Sequence, residues 1–345
     1  MMPLLSATTC TALLFAYFTS TDELQYAYSR DGLTFEPLNH GSPVLNCTRD
    51  SLRDPYLARA QGGAAPGFFL VATNSRGFGG TRTILTWASP DLVHWGAETE
   101  AEVMAAAFFP PNATVQDTWA PEFVWDEGVG KHLAFWAARG SGIAPPLGGC
   151  AGTNAARFVF FAAHTADFVT FETPFPLFDP GCAIEGVGGI DGNLVFDEAR
   201  GLWVLSYKDA RGDGEGHAAE ELRGVRMLTA RSVTGPWLAA NVSSLVVPPL
   251  VEAPELVLDM PLAAGGALLY YDCSFFPTPP GYPRPPYGVA RGSGGSSAGA
   301  FTPLPGACVG NASGDAAVSF PRGATHGSFL CISEAELDVL RAAFP

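Results

Sequence analysis

Three acidic residues stand at the head of three apolar stretches: Asp54 in Leu52-Arg53-Asp54-Pro55-Tyr56, Asp191 in Gly189-Ile190-Asp191-Gly192-Asn193-Leu194-Val195-Phe196, and Glu252 in Val251-Glu252-Ala253-Pro254-Glu255-Leu256. Carboxyl groups converging from separate elements are what cleavage of an acetal needs. One stays protonated and donates to the leaving oxygen, a second stays ionised and activates water, and a third tunes the pair by its charge. Taken singly, an Asp before Pro or Gly has a plainer use as a turn residue bonding its own backbone. Three acids in equivalent settings favour chemistry, provided a scaffold brings these distant segments together.

A recurring phrase supplies that scaffold. It reads Ala27-Tyr28-Ser29-Arg30-Asp31-Gly32-Leu33-Thr34-Phe35, then Trp87-Ala88-Ser89-Pro90-Asp91-Leu92-Val93-His94-Trp95. It returns as Ala163-His164-Thr165-Ala166-Asp167-Phe168-Val169-Thr170-Phe171, as Thr229-Ala230-Arg231-Ser232-Val233-Thr234-Gly235-Pro236-Trp237, and weakly at Val289-Ala290-Arg291-Gly292-Ser293. Each copy is a strand end, a polar turn and, in the first four, a closing aromatic; the weak fifth copy finds its aromatic at Phe301. A β-rich repeat of about sixty to seventy-five residues implies a propeller, and five copies imply five blades. The expected fold is therefore an all-β five-bladed propeller over residues 1–345 as a single domain. Blades one to four run from Arg53 to Trp95, Trp119 to Phe171, Gly189 to Trp237 and Val251 to Ala290. The fifth combines Gly327–Ile332 with Ala12–Thr19 and Glu23–Ser29, closing the ring without an open sheet edge. Ala12–Phe18 is apolar but lacks a basic leader, so it reads as a strand of that closing blade. A capping-box pattern at Ser333-Glu334-Ala335-Glu336 opens a short C-terminal helix.

The chain carries 34 acidic and 19 basic residues, a net charge of -15. Nucleic acid and anionic membrane are repelled by such a surface, whereas a neutral sugar is indifferent to it. No apolar run reaches membrane-spanning length. The high Gly and Pro content suits many tight turns, with Gly292–Gly299 read as an exposed loop and Pro279–Pro286 as a rigid wall of the mouth. Four sequons, at Asn46, Asn112, Asn241 and Asn311, lean towards a secretory route. The seven cysteines contain no CxxC pair and leave room for disulfides, Cys150–Cys182 being the favoured one.

With these residues in place, the chain resembles glycoside hydrolase family 43, five-bladed propellers acting mainly on arabinose- and xylose-containing plant polysaccharides. The resemblance spans nearly the whole chain. Arg53-Asp54-Pro55 resembles the family segment holding the general base, Trp119-Ala120-Pro121-Glu122 its second-blade motif, Ile190-Asp191-Gly192 the segment holding the pKa-modulating acid, and Glu252-Ala253-Pro254 the one holding the general acid. The resemblance implies an inverting glycosidase with Asp54, Asp191 and Glu252 as catalytic residues. Two departures stand out: Ala253 replaces the usual Gly, which matters if that position needs a positive φ, and Thr325 replaces an Arg before His326-Gly327-Ser328. His326 resembles a fifth-blade histidine that in many members points into the axis and holds water or a calcium ion, so the central channel is a candidate calcium site.

Around the acids, Trp119 offers its ring to a sugar face or, as propeller tryptophans more often do, plugs the space between blades. Arg53 and Lys208 are candidate contacts to substrate, with a solvated strand end the plainer fate of Lys208. Asp117 and Glu122 read as structural hydrogen-bonders. Two further functions stay open. One is a fructan- or sucrose-active propeller, disfavoured because no Asn-Asp-Pro-Asn segment is present and Ala253, not Cys, follows Glu252. The other is a carbohydrate-binding propeller without activity.

Overall fold

The computed structural model describes the chain apart from residues 1–9, 49–50, 63–66, 75–80, 144–157, 183–187, 211–223, 239–242, 248–249, 259–261, 263–265, 275, 279–285, 293–300 and 309–316. Its strands in chain order are β1 (Ala12–Phe18), β2 (Gln25–Ser29), β3 (Glu36–Pro37), β4 (Leu52–Arg59), β5 (Phe68–Asn74), β6 (Thr83–Ser89), β7 (Thr99–Glu102), β8 (Thr114–Asp126), β9 (Lys131–Ser141) and β10 (Val159–Thr165). They continue with β11 (Phe175–Phe178), β12 (Gly189–Asp197), β13 (Leu202–Asp209), β14 (Val225–Ala230), β15 (Glu252–Val257), β16 (Leu268–Asp272), β17 (Gly288–Gly292), β18 (Phe301–Pro303) and β19 (Thr325–Ile332), followed by helix α1 (Glu334–Ala343).

These strands form five antiparallel sheets: β4-β5-β6-β7, β8-β9-β10-β11, β12-β13-β14, β15-β16-β17-β18 and β19-β1-β2-β3. Their innermost strands touch in the cycle β19, β4, β8, β12, β15 and back to β19. The fold is thus a five-bladed propeller, closed as expected by pairing β1 with the C-terminal β19.

The strands read as runs of buried residues because both faces of each blade are covered. In β1, Leu13, Phe15 and Tyr17 pack towards blade four, while Leu14 and Ala16 pack towards blade one. Five such apolar layers fill the five spaces between adjacent blades. Phe15 lies in an aromatic stack with Phe329 (ring centres 4.5 Å apart) and Tyr17 (4.8 Å). Helix α1 starts with the expected capping box on Ser333 and Glu336, and buries Leu337 and Leu340 between blades five and one. Glu336 also accepts a two-pronged hydrogen bond from Arg59, at 2.7 and 2.8 Å.

The recurring phrase sits at the turn from the third to the fourth strand of the blades, and its polar letters have a single structural job. In the three copies carrying Asp, the Asp accepts hydrogen bonds from backbone N–H groups two and three residues on, at Leu33 and Thr34, Val93 and His94, and Val169 and Thr170. Blade limits drawn from that phrase stop short of the outermost strands. β3, β7 and β18 have few buried residues, so no apolar alternation marks them. Two disulfides join Cys10 to Cys331 and Cys273 to Cys308. The pairing of Cys150 with Cys182, the Gly292–Gly299 loop beyond Gly292 and all but the end of the Pro279–Pro286 segment lie outside the described residues, as do Asn241 and Asn311.

Candidate active site

Every inner strand breaks its register at an equivalent point, and β8 does so a second time between Val115 and Asp117. Pairing runs from Arg53↔Thr73 to Tyr56↔Val71, Trp119↔Ala137 to Glu122↔Phe135, Ile190↔Lys208 to Asn193↔Ser206, and Glu252↔Asp272 to Glu255↔Tyr270, so three steps on the inner strand face two on its neighbour. In blade five the slip falls at His326, between Thr325↔Phe18 and Gly327↔Tyr17. These are β-bulges, which re-aim side chains at a sheet rim. The bulged residues Asp54, Ala120, Asp191 and Ala253 all adopt left-handed φ values, of 49°, 46°, 53° and 52°. Such a conformation costs a non-glycine residue roughly 1–2 kcal/mol.

This register corrects one expectation. Asp54 and Asp191 are equivalent, on the bulge, together with Ala120, Ala253 and His326. Glu252 is not; it precedes the bulge, in the position of Arg53, Trp119, Ile190 and Thr325. Ala253 occupies a position that does require positive φ, which is where a glycine costs nothing.

A bulge frees backbone N–H groups, and side chains of other blades accept them. Ala120 N donates to Thr73 Oγ1 (2.7 Å), Ala253 N to Asp191 Oδ2 (3.2 Å) and His326 N to Asp272 Oδ2 (3.0 Å). One step deeper, Leu57 N donates to Ser328 Oγ and Leu256 N to Asn193 Oδ1. The inner strands are therefore stitched together where the acids sit. After His326 a glycine is obligatory for space, since a Cβ on Gly327 would lie 2.1 Å from the Ala16 carbonyl oxygen.

Asp54, Asp191 and Glu252 come together around two cations. His326 Nδ1 lies 3.3 Å from Asp54 Oδ1 and 3.9 Å from Asp191 Oδ1, and Lys208 Nζ donates to Glu252 Oε2 at 2.8 Å. Lys208 is 2 % exposed, so a solvated strand end is not its fate. Burial alone would raise all three acids. For Asp54, the charge and hydrogen bond of His326, with Arg53 and Thr73, outweigh burial and hold the carboxyl below the usual range. For Glu252, Lys208 and Ser274 do the same. Asp191 goes the other way: burial, joined by the charges of Glu252 and Asp54, pushes it up to about 7 against the pull of His326 and Lys208. Burial would lower His326, but Asp54 and Asp191 raise it to about 9. Within this pair, burial and like charge favour the protonated form of Asp191, while Lys208 favours the ionised form of Glu252.

The remaining candidates are placed as follows. Trp119 stands in the rim position, but its ring packs on Phe158 (centres 4.8 Å apart) with the Arg139 guanidinium 5.8 Å from its centre. Asp117 pairs with Arg139 in a structural ion pair. The Arg53 guanidinium lies 5.3 Å from the centre of the Phe18 ring, with Nε 3.9 Å from Asp22. Glu122 turns inward beneath the acids, where Asn193 Nδ2 donates to both Glu122 and Glu255 at 3.2 Å. Burial raises both carboxyls, Glu255 to about 7. The tripeptide Ala-Pro-Glu, present twice at Ala120–Glu122 and Ala253–Glu255, was the signal for this inner pair. As for calcium, no group of three or more His, Cys, Asp or Glu among the described residues is arranged to hold a metal ion. His326 Nδ1 instead faces the Asp54 and Asp191 carboxyl oxygens directly, at 3.3 and 3.9 Å.

Comparison with known proteins agrees with the propeller fold. An α-L-arabinofuranosidase of Bifidobacterium longum subsp. longum is 28% identical over 159 residues, 42% of this chain but only 14% of that enzyme. The structure of a thermostable family-43 glycoside hydrolase is similar, with a TM-score of 0.54 at 18% identity, over 80% of this chain and 78% of the other. That of an α-L-arabinofuranosidase from Lactobacillus brevis also gives 0.54, at 13% identity, over 86% and 90%. Among the described residues no helix is long and apolar enough to cross a membrane. The family model described as "Probable glycosyl hydrolase domain", related to glycoside hydrolase family 43, matches residues 8–222, and to that family this chain belongs.

Proposed function

We propose that this protein is an inverting glycoside hydrolase releasing arabinose or xylose units from plant-type polysaccharides or oligosaccharides. The observation that carries the reading is the gathering of Asp54, Asp191 and Glu252 at one mouth with unequal charge. Asp54, kept ionised by the imidazolium of His326, takes a proton from water as its oxygen attacks the anomeric carbon. Glu252 gives a proton to the glycosidic oxygen as the C–O bond breaks. That proton comes from the Asp191–Glu252 pair, which titrates as a unit. Lys208 favours placing it on Asp191 until a sugar hydroxyl accepts from the Lys208 ammonium and releases Glu252 to receive it. The choice of arabinose rests on the Bifidobacterium relative.

One observation favours a second reading. Lys208 holds Glu252 ionised, which suits a propeller that binds glycan without cutting it. Hydrolysis of unactivated arabino- and xylo-oligosaccharides, whose leaving sugar oxygen needs a proton, by the wild type, Asp54→Asn and Glu252→Gln separates the two. Loss of a general base or acid lowers turnover by about 10²–10⁴-fold, so both variants are expected to be folded by circular dichroism yet nearly inactive. Near-normal turnover by either folded variant removes its assignment; inertness of the wild type, with sugar binding retained, favours the second reading.

A further inference from the structure

We infer that Asn46 and Asn112 are sites of N-linked glycosylation on the face of the propeller that carries the mouth. Neither site has any part in the catalytic reading. The chain has eight asparagines, and four of them, Asn46, Asn112, Asn241 and Asn311, are followed two places on by Ser or Thr with no Pro between. Ser and Thr make up 43 of the 345 residues, so that spacing would arise by chance about once. The excess matches the acceptor triplet Asn-X-Ser/Thr that receives oligosaccharide in the eukaryotic secretory route.

The fold separates these asparagines from the others. Of the five among the described residues, Asn46 and Asn112 are exposed, whereas Asn74 and Asn193 are buried and Asn39 is half-buried. The last three use the nitrogen that would carry a sugar within the fold itself. Asn39 Nδ2 donates to the Pro43 carbonyl (2.8 Å), Asn74 Nδ2 to Thr83 Oγ1 (2.9 Å), and Asn193 Nδ2 to Glu122 and Glu255. Asn46 follows the bridge between Leu24 and Leu45, and Asn112 stands in a turn closed by Ala113 N donating to the Pro110 carbonyl at 2.9 Å. Asn46 leads into β4 and Asn112 into β8, at the strand ends where the bulged residues Asp54 and Ala120 sit, so both positions lie on the mouth face. β8 begins six residues before its bulged residue, whereas β4, β12, β15 and β19 begin one or two before theirs. Asn112 is therefore at the tip of a ribbon, paired out to Thr114↔Ser141, that overhangs the rim.

A bulky, hydrated glycan is tolerated where the folded chain leaves it an open exit, and both positions offer one. The donor is a lipid-diphosphate-linked oligosaccharide. A bond forms from the Asn side-chain nitrogen to the anomeric carbon, the bond from that carbon to the diphosphate breaks, the lipid diphosphate leaves, and an amide proton passes to solvent. That donor is met in the secretory lumen, an oxidising compartment in which disulfides form and persist. The bonds Cys10–Cys331 and Cys273–Cys308 are an independent mark of the same compartment.

The direct test is mass spectrometry of the chain isolated from its own cells, before and after treatment with peptide-N-glycosidase. Loss of hexose-bearing mass, with aspartate left at positions 46 and 112, is the expected result. Expression of the full chain behind a secretory leader in cultured eukaryotic cells, read on retained as well as secreted protein, resolves the sites one by one. Asn46→Gln and Asn112→Gln should each remove one glycan step and leave the thermal midpoint of the deglycosylated protein unchanged. Thr48→Ser should keep the glycan on Asn46 and Thr48→Ala should lose it, while Asn39, Asn74 and Asn193 stay unmodified. An unmodified asparagine at either position in the native chain overturns that site. A glycan ladder no shorter in the double Gln variant than in the wild type overturns both.

Discussion

Lys208 and Glu252 present the sharpest question at the level of single residues. A buried ammonium 2.8 Å from a carboxylate stabilises its ionised form, whereas a general acid must carry a proton. If the proton is shared within the Asp191–Glu252 pair, removing the ammonium has a signed consequence. In Lys208→Met the Glu252 carboxyl loses its main cation and its pKa rises, so the acid stays protonated to higher pH. The alkaline limb of the pH–rate profile is then expected to move up, with lower affinity for substrate; a limb that does not move would show that Glu252 is not the group titrating there. The three acids and His326 were legible from their motifs. Thr73 and Ser274 were not, and Lys208 was singled out only as a sugar contact and not as the partner of Glu252, because second strands and loops carry no mark of which inner strand they face.

Among the elements, the bulge of the inner strand decides where each functional side chain points. It exists because Asp54, Ala120, Asp191 and Ala253 accept left-handed backbone, and because Pro or Gly follows each of them. Asp191 offsets part of the strain by accepting from the next blade, but Ala253 has no side chain with which to compensate. Replacing Ala253 by Gly is therefore expected to stabilise the fold by up to about 1 kcal/mol with activity retained. Ala253→Val, β-branched and fully buried, should destabilise by more than about 2 kcal/mol. Urea unfolding of the two variants checks this; a Gly variant less stable than the wild type would contradict it. The sequence carried the repeat, the inner strands and the closing strand pair plainly, since each rests on apolar runs or turn residues. It did not carry the one-residue offset of Glu252, because a bulge is a property of pairing and not of either strand alone.

For the molecule as a whole, the acids and His326 converge where all five inner strands meet, so site electrostatics and stability are linked. The raised groups share one sign. His326 is lifted from 6.5 to about 9, and Asp191 and Glu255 from 3.8 and 4.5 to about 7. Each binds a proton more tightly folded than unfolded, so its contribution is full below the ordinary value and fades as pH rises through the raised one. The lowered groups, Asp54, Glu252 and Glu336 among them, act oppositely and lose their contribution only as pH falls below the ordinary carboxylate range. Thermal midpoints should accordingly peak near about pH 5 and fall steadily towards pH 9; a midpoint that climbs between pH 6 and 9 would place these charges wrongly. The central claim, that Asp54 delivers water from the face opposite Glu252, is reached most directly by proton NMR of the sugar first released from an aryl α-L-arabinofuranoside. Appearance of the β anomer before mutarotation is the expected result, and first release of the α anomer would contradict it.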